Sequence, residues 1–342
     1  MLQKFNWSIV GHEKIVNFLQ AGIEKNNLSH AYIFYGAKHL GKTTVARFFA
    51  KSILCAGQSP QNSLPCGKCA NCRQFENKIH PDLVIIKRTA DSKTGKLKKN
   101  ISIEQIKETK NRLSLSSFLK SYKIVIIEEA EKLSLGAANS LLKTLEEPKG
   151  KTVFILIADQ LESMPKTIIS RCQKIKFLQV SFSENYDYLV KIKMASRDTA
   201  LSVSDLAHGK PGLVEYFLEK TSDEENWREY NKELKNIIDL ISQDEYQRIE
   251  FINAMLPKKI ETEDQKKITI DFLNKWRLII RDLLMIKNDI PQREEKEFLK
   301  QIAQKYKNTQ LINLLDKIKK SRIYLESNVG PKLILENFVL AL

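Results

Sequence analysis

Eight residues constrain this chain more than any others. Gly36-Ala-Lys-His-Leu-Gly41-Lys42-Thr43 matches G-x-x-x-x-G-K-[ST] in full, directly after the apolar run AYIFY (Ala31 to Tyr35) and before a helical segment containing Thr44, Val45, Ala46 and Phe48. Strand, glycine loop, helix is the context in which this motif binds phosphate. The glycines let backbone N–H groups curl around phosphates at a helix start, the lysine reaches the β and γ oxygens, and the threonine hydroxyl helps hold Mg²⁺. The expected ligand is therefore ATP or ADP with magnesium, held by Gly36, Gly41, Lys42, Thr43 and Thr44.

The surrounding pattern agrees with such a loop. LVII (Leu83 to Ile86), KIVII (Lys123 to Ile127) and TVFILIA (Thr152 to Ala158) are further short runs rich in β-branched or aromatic residues. Nearly unbroken apolar runs suit strands covered on both faces. Helical patterns lie between them, so the first 180 residues are expected to form an α/β domain with a mainly parallel sheet. Ser102-x-x-Gln is a capping-box start, followed by Ile103, Ile106, Lys110 and Leu113 along one side. Ala138, Leu141, Leu142 and Leu145 mark another helix, which Pro148 stops.

Beyond about residue 180 the strand signal ends. Leu234, Ile237, Ile238 and Ile241 form a helical stripe, and Pro257, Pro291 and Pro331 punctuate the helices that follow. The expected organisation is α/β and then all-α: residues 1–180, a small helical unit over 181–222, and a separate helical domain over 223–342. The loop KRTADSKTGKLKKN (Lys87 to Asn100) reads as an exposed connection, with phosphate contact as its sharper reading.

Two further constellations bear on chemistry. In KIVIIEEAEKL, Glu128 and Glu129 follow a buried strand, where one acidic residue can bind Mg²⁺ and the next can orient an attacking water. Glutamate at the first of these positions is one methylene longer than the usual aspartate. Cys55, Cys66, Cys69 and Cys72 place four thiols within eighteen residues. That spacing suits one structural zinc ion, with no open coordination position left for catalysis. Cys172 stands apart as a packed thiol, and His12, His30, His39, His80 and His208 have no ligand spacing.

Composition sets outer bounds. The chain has 342 residues, a net charge of +15, 42% hydrophobic residues and 28% charged ones. No apolar run reaches the roughly 18 residues of a membrane span, and MLQKFNWSIVGHEKIV lacks a secretory pattern, so a cytoplasmic protein is expected. The positive balance suits contact with DNA or a lysine-rich background equally. No set of carboxylates on a palm-like sheet is legible, so polymerase chemistry is not expected of this chain.

In chain order, these segments resemble the bacterial DNA polymerase III clamp-loader subunits, the family of delta-prime and tau/gamma. SIVGH (Ser8 to His12) is similar to the stretch beside the family's adenine pocket, which adds Val10 to the expected nucleotide contacts. NSLLKTLEEP (Asn139 to Pro148) and Ser170-Arg171-Cys172 resemble two family hallmarks, and NVGPKLILENFVLAL (Asn328 to Leu342) resembles its last helix. The resemblance implies an AAA+ module: a RecA-like domain, a helical lid and a helical collar. It also implies a hetero-pentamer with tau/gamma and delta that loads a sliding clamp onto primed DNA. Arg171 then reaches a neighbour's ATP site as a trans-acting finger.

Departures from tau/gamma motors point to delta-prime. Glu128 stands for aspartate, Ala158-Asp159 fills a Thr-rich sensor segment, and Gly212 lies about where a lid arginine would be. Weak intrinsic hydrolysis is expected. The alternative is an active motor of the tau/gamma type, for which intact Lys42 and Thr43 speak, with Glu129 as its catalytic partner. A free-standing zinc- and DNA-binding ATPase of recombination or repair is a third reading, which the collar-like tail disfavours.

Overall fold

The computed structural model describes residues 4–57, 63–91, 95, 97–114, 122–148, 150–221, 224–257, 261–290, 297–327 and 329–342. Pro291, Asn328 and positions 92–94 and 96 of the basic loop lie outside them. The chain divides into two compact units, Met1–Ser222 and Asp223–Leu342.

The first unit opens with β1 (Lys4–Phe5), α1 (Glu13–Glu24), β2 (Ala31–Tyr35), α2 (Lys42–Leu54), β3 (Ser63–Leu64), α3 (Ala70–Glu76) and β4 (Leu83–Ile86). It continues with α4 (Ile103–Ser114), β5 (Lys123–Ile127), α5 (Leu135–Glu146), β6 (Thr152–Ala158), α6 (Lys166–Ile169) and β7 (Gln173–Lys176). Three helices complete it: α7 (Phe182–Lys191), α8 (Arg197–Ala207) and α9 (Pro211–Thr221). A five-stranded sheet runs β4-β5-β6-β2-β7, with every pair parallel. β1 and β3 form a separate short parallel pair.

The four apolar runs are strands with the expected limits, and their alternation shows why they read as unbroken. Ala31 and Ile33 of β2 pack into one cluster with Val125, Ile127, Phe154 and Leu156, under α4 and α5. Tyr32 and Phe34 pack on the opposite face with Ile124, Ile126, Val153 and Ile155, under α1 and α2. Successive side chains on a strand point to opposite faces, so a sheet covered on both sides needs apolar residues at every position.

β7 was not expected from the sequence. Of its QKIK, Ile175 alone is buried, because β7 is the sheet's edge and only one of its residues needs to be apolar. Polar, lysine-rich edges of this kind resist further strand pairing.

The helix starts follow local chemistry. Gln105 accepts a hydrogen bond from the Ser102 N–H at 3.1 Å, the backward half of a capping box. The Ser134 hydroxyl accepts from the Ala137 N–H at the start of α5, and Ala138, Leu141 and Leu145 are buried along that helix.

Among its described residues the second unit is helical: α10 (Glu224–Asp239), α11 (Glu245–Met255), α12 (Thr262–Lys287), α13 (Glu297–Lys305), α14 (Asn308–Glu326) and α15 (Pro331–Val339). Its core gathers Ile237, Ile238, Phe272, Trp276, Leu314 and Phe338. The rings of Trp276 and Phe338 meet edge to face at 5.7 Å, which fixes the last helix inside the unit. Pro331 opens α15 rather than ending a helix, as suits a residue with fixed φ and no N–H to satisfy. Among the described residues no helix is long and apolar enough to cross a membrane.

Candidate functional site

The glycine loop joins β2 to α2 at the carboxyl end of the sheet, where ligands of open α/β sheets bind. Gly36 has φ +143°, and a Cβ there would lie 2.4 Å from the Phe177 carbonyl oxygen, so no side chain fits. Gly41, at φ +84°, ends the loop and N-caps α2. The chain start closes over this region: the His12 ring is 2.8 Å from the Leu40 carbonyl and packs edge to face on Phe177. Burial lowers the His12 pKa, which favours the neutral ring. Val10 is half-buried two residues away, Thr43 is half-buried and Thr44 is exposed.

Lys42 is only 6% exposed. Its ammonium donates to the carbonyls of Gly36 and Ala37, the latter at 2.8 Å, and to Asp159 Oδ1 at 3.1 Å. Burial lowers its pKa, and the Asp159 carboxylate opposes that effect. Asp159 also lies 3.7 Å from the ammonium of Lys38. Glu131 completes the acidic side. Its Oε2 is buried without a hydrogen-bond partner, and burial, followed by the charge of Asp159, raises its pKa. The part played by Glu131 was not anticipated from sequence.

Glu128 and Glu129 both follow β5, but Glu129 is engaged elsewhere. It receives a forked pair of hydrogen bonds from Arg88, Nε to Oε2 at 2.7 Å and a terminal nitrogen to Oε1 at 2.8 Å. Arg88 holds the Glu129 carboxyl below its usual range, so this carboxylate is a weak base with both oxygens occupied. Nothing in the spacing of the sequence points to Arg88, which lies in the basic loop. In that loop Lys98 donates its backbone N–H to the Thr89 carbonyl at 2.9 Å.

The segment around Gly212 is anchored to the loop itself. The Gly212 N–H donates to the His39 carbonyl at 2.8 Å, and a Cβ at 212 would stand 3.0 Å from both His39 Cα and its oxygen. The position compared with a lid arginine is thus a backbone-to-backbone contact, where an arginine side chain would have to displace the loop.

Arg171 sits between α6 and β7, with its side chain 36% exposed. It donates to the Thr167 carbonyl at 2.9 Å and pairs with Glu146. Cys172 beside it is buried, which pushes its thiol up to about 12.

The sulfurs of Cys55, Cys66, Cys69 and Cys72 lie within 4.8 Å of one another, two of the pairs at 3.9 Å. Four ligands at about 2.3 Å around a tetrahedral ion stand roughly 3.8 Å apart, so the four-thiol set fits one metal ion. Three backbone N–H groups, of Cys66, Cys69 and Cys72, point at the sulfurs of Cys55, Cys66 and Cys69 at 3.4 Å. Burial works against the Cys66 thiolate, but the N–H groups of Cys69 and Lys68 prevail and hold that thiol down to about 6. Gly57 lines the set closely: a Cβ there would meet Cys66 Sγ at 2.5 Å.

Comparison with known proteins follows this geometry. The chain is 28% identical over 333 residues to the DNA polymerase III delta' subunit of Bacillus subtilis, covering 96% of this chain and 95% of that one. It is 35% identical over 179 residues to the tau subunit of the same organism, covering 52% of this chain and only 30% of tau. A DNA polymerase III gamma subunit-related protein from Thermotoga maritima is similar at 20% identity and a TM-score of 0.39, over 95% of this chain and 97% of that one. The family described as DNA polymerase III, delta subunit, matches residues 11–181, from the turn before α1 through the P-loop and Arg171 to the start of α7. The chain belongs to that family.

Proposed function

We propose that this chain is the delta-prime subunit of a DNA polymerase III clamp loader, an AAA+ protein that holds nucleotide and lends Arg171 to a neighbouring ATP site. The observation that carries the reading is the Arg88–Glu129 pair: the carboxylate placed to activate water is neutralised within its own chain. An arginine contributed across an interface stabilises charge on the transferring phosphoryl group, and such fingers contribute on the order of 10³ to 10⁵ in rate. Arg171 has the exposure for that role, and its anchoring to Glu146 holds it ready.

In this reading residues 1–180 are the RecA-like domain, 181–222 the lid and 223–342 the collar that joins tau/gamma and delta in a hetero-pentamer. The clamp and primed DNA are reached through that assembly. Cys55, Cys66, Cys69 and Cys72 would hold a structural zinc ion, which ties the end of α2 to α3 and supplies no reaction chemistry. Gly36, Gly41, Lys42, Thr43 and Thr44 would hold the phosphates and Glu128 the magnesium, with Val10 near the base. Mg²⁺, if held by Thr43 and Glu128, would supply positive charge against the phosphates.

The test is clamp- and DNA-stimulated ATP hydrolysis by the reconstituted loader. With this chain as Arg171→Ala the rate should fall by roughly tenfold or more, whereas Lys42→Ala should change it little. The reverse pattern supports a second reading, an active motor of the tau/gamma type, which the complete glycine loop with Lys42 and Thr43 favours.

A further inference from the structure

The acceptors gathered by Lys42 differ in kind. Two are carbonyls of its own loop, and such contacts give way readily when phosphate enters. The third is a carboxylate brought across 117 positions of sequence. Its placement is set by the sheet: β6 pairs with β2 so that Ala158 lies opposite Tyr35. Asp159 is therefore level with Gly36, the first residue of the loop, and the strand ladder holds it there. It faces two ammonium groups, Lys42 at 3.1 Å and Lys38 at 3.7 Å. Beside it Glu131 leaves one buried carboxylate oxygen without a hydrogen-bond partner.

From this arrangement we infer that Asp159 is a built-in counter-ion that takes the place of a terminal phosphate at Lys42, so that the pocket favours nucleoside diphosphates over triphosphates. The inference rests on the reading that the glycine loop binds nucleotide. The P-loop lysine is the group that reaches the β and γ oxygens. Here most of its charge is already matched, and a γ-phosphate would approach two carboxylates instead of one free cation. In a half-buried site that repulsion is only weakly screened by salt. A β-phosphate depends far more on the N–H groups of the loop and the start of α2, which among the described residues no carboxylate engages.

This is specificity by a repulsive element as much as by an attractive one. The chain would then hold the nucleotide state that follows hydrolysis without having to carry hydrolysis out.

Equilibrium titration of the purified full-length chain with fluorescently labelled ADP and a non-hydrolysable ATP analogue, both with Mg²⁺, tests this. Wild type should bind the diphosphate tighter by about tenfold or more, and Asp159→Asn should bring the ratio close to one by tightening triphosphate binding. Asp159→Ser should do the same, and thermal melts of both variants check that they are folded. Equal wild-type affinities, or a ratio unmoved in both variants while Lys42→Ala abolishes binding, overturns the counter-ion and leaves the P-loop reading standing. Binding indifferent to Lys42→Ala, or none in any folded variant, removes the P-loop reading and the counter-ion with it.

Discussion

The guanidinium of Arg171 is held against Glu146, N to O at 2.5 Å, at the point where α5 ends. Two segments far apart in sequence, NSLLKTLEEP and Ser-Arg-Cys, thus meet through one ion pair. The pair is half exposed on both sides, so its direct contribution to stability is small, on the order of 0 to 1 kcal/mol. In the proposed reading its use is to aim the arginine. Glu146→Gln should leave the melting temperature of the chain within a few degrees while lowering loader ATPase about two- to tenfold. Arg171→Lys should lose most of the rate despite keeping its charge, because an ammonium lacks the planar fork of a guanidinium. Equal rates for Arg171→Lys and wild type would count against an aimed arginine.

The four thiols should carry close to one equivalent of zinc, measurable by elemental analysis of the purified chain. Gly57→Ala should reduce that occupancy, since the new methyl group would stand 2.5 Å from Cys66 Sγ with Cys69 Cβ only slightly farther. Chelation should lower the thermal midpoint of the wild type and do so less for Cys69→Ser, which starts without a complete ligand set.

Glu129 provides a pH test. Arg88 depresses its carboxyl pKa in the folded chain, so the folded state binds fewer protons there than the unfolded state does as the pH falls. The stabilisation is present above the ordinary carboxyl pKa and is lost as the pH drops through the depressed folded value. Denaturant midpoints of wild type and Arg88→Met should therefore differ at pH 7 and converge on acidification below about pH 4. A gap that stays constant with pH would mean Arg88 acts through packing alone.

Gly212→Ala should cost about 1 to 3 kcal/mol in denaturant unfolding, the range for forcing a methyl group into a packed contact. The obstacle is the backbone of His39, which has no rotamer to change. A neutral substitution would show that α9 shifts freely away from the loop.

Much of this architecture was legible in the sequence because its causes are local. The four buried strands announce themselves through unbroken apolar runs, the P-loop through its glycines and lysine, and the thiol set through its spacing. β7 escaped because an edge strand needs only Ile175 to be apolar. The wiring of the pocket escaped for a different reason. Arg88 meets Glu129 across 41 positions and Lys42 meets Asp159 across 117, through a strand order that no local pattern encodes. Asp159 was visible as a departure from a Thr-rich segment, but its ion pair with Lys42 was not. Gly212 likewise read as a missing arginine, whereas its backbone contact with His39 makes it a residue with its own steric reason.

The pairing of β2 with β7 has a consequence for reach. β2 delivers the chain into the loop at Gly36, while Arg171 lies just before β7, which runs parallel alongside with Tyr32 opposite Gln173. Loop and arginine therefore stand at opposite ends of the same ladder, separated by the rise of β2's five residues, roughly 17 Å. That ladder behaves as a ruler: neither end can approach the other without breaking its hydrogen bonds. The guanidinium, anchored at Glu146 and the Thr167 carbonyl, therefore stands at the end of the sheet remote from the glycine loop of its own chain.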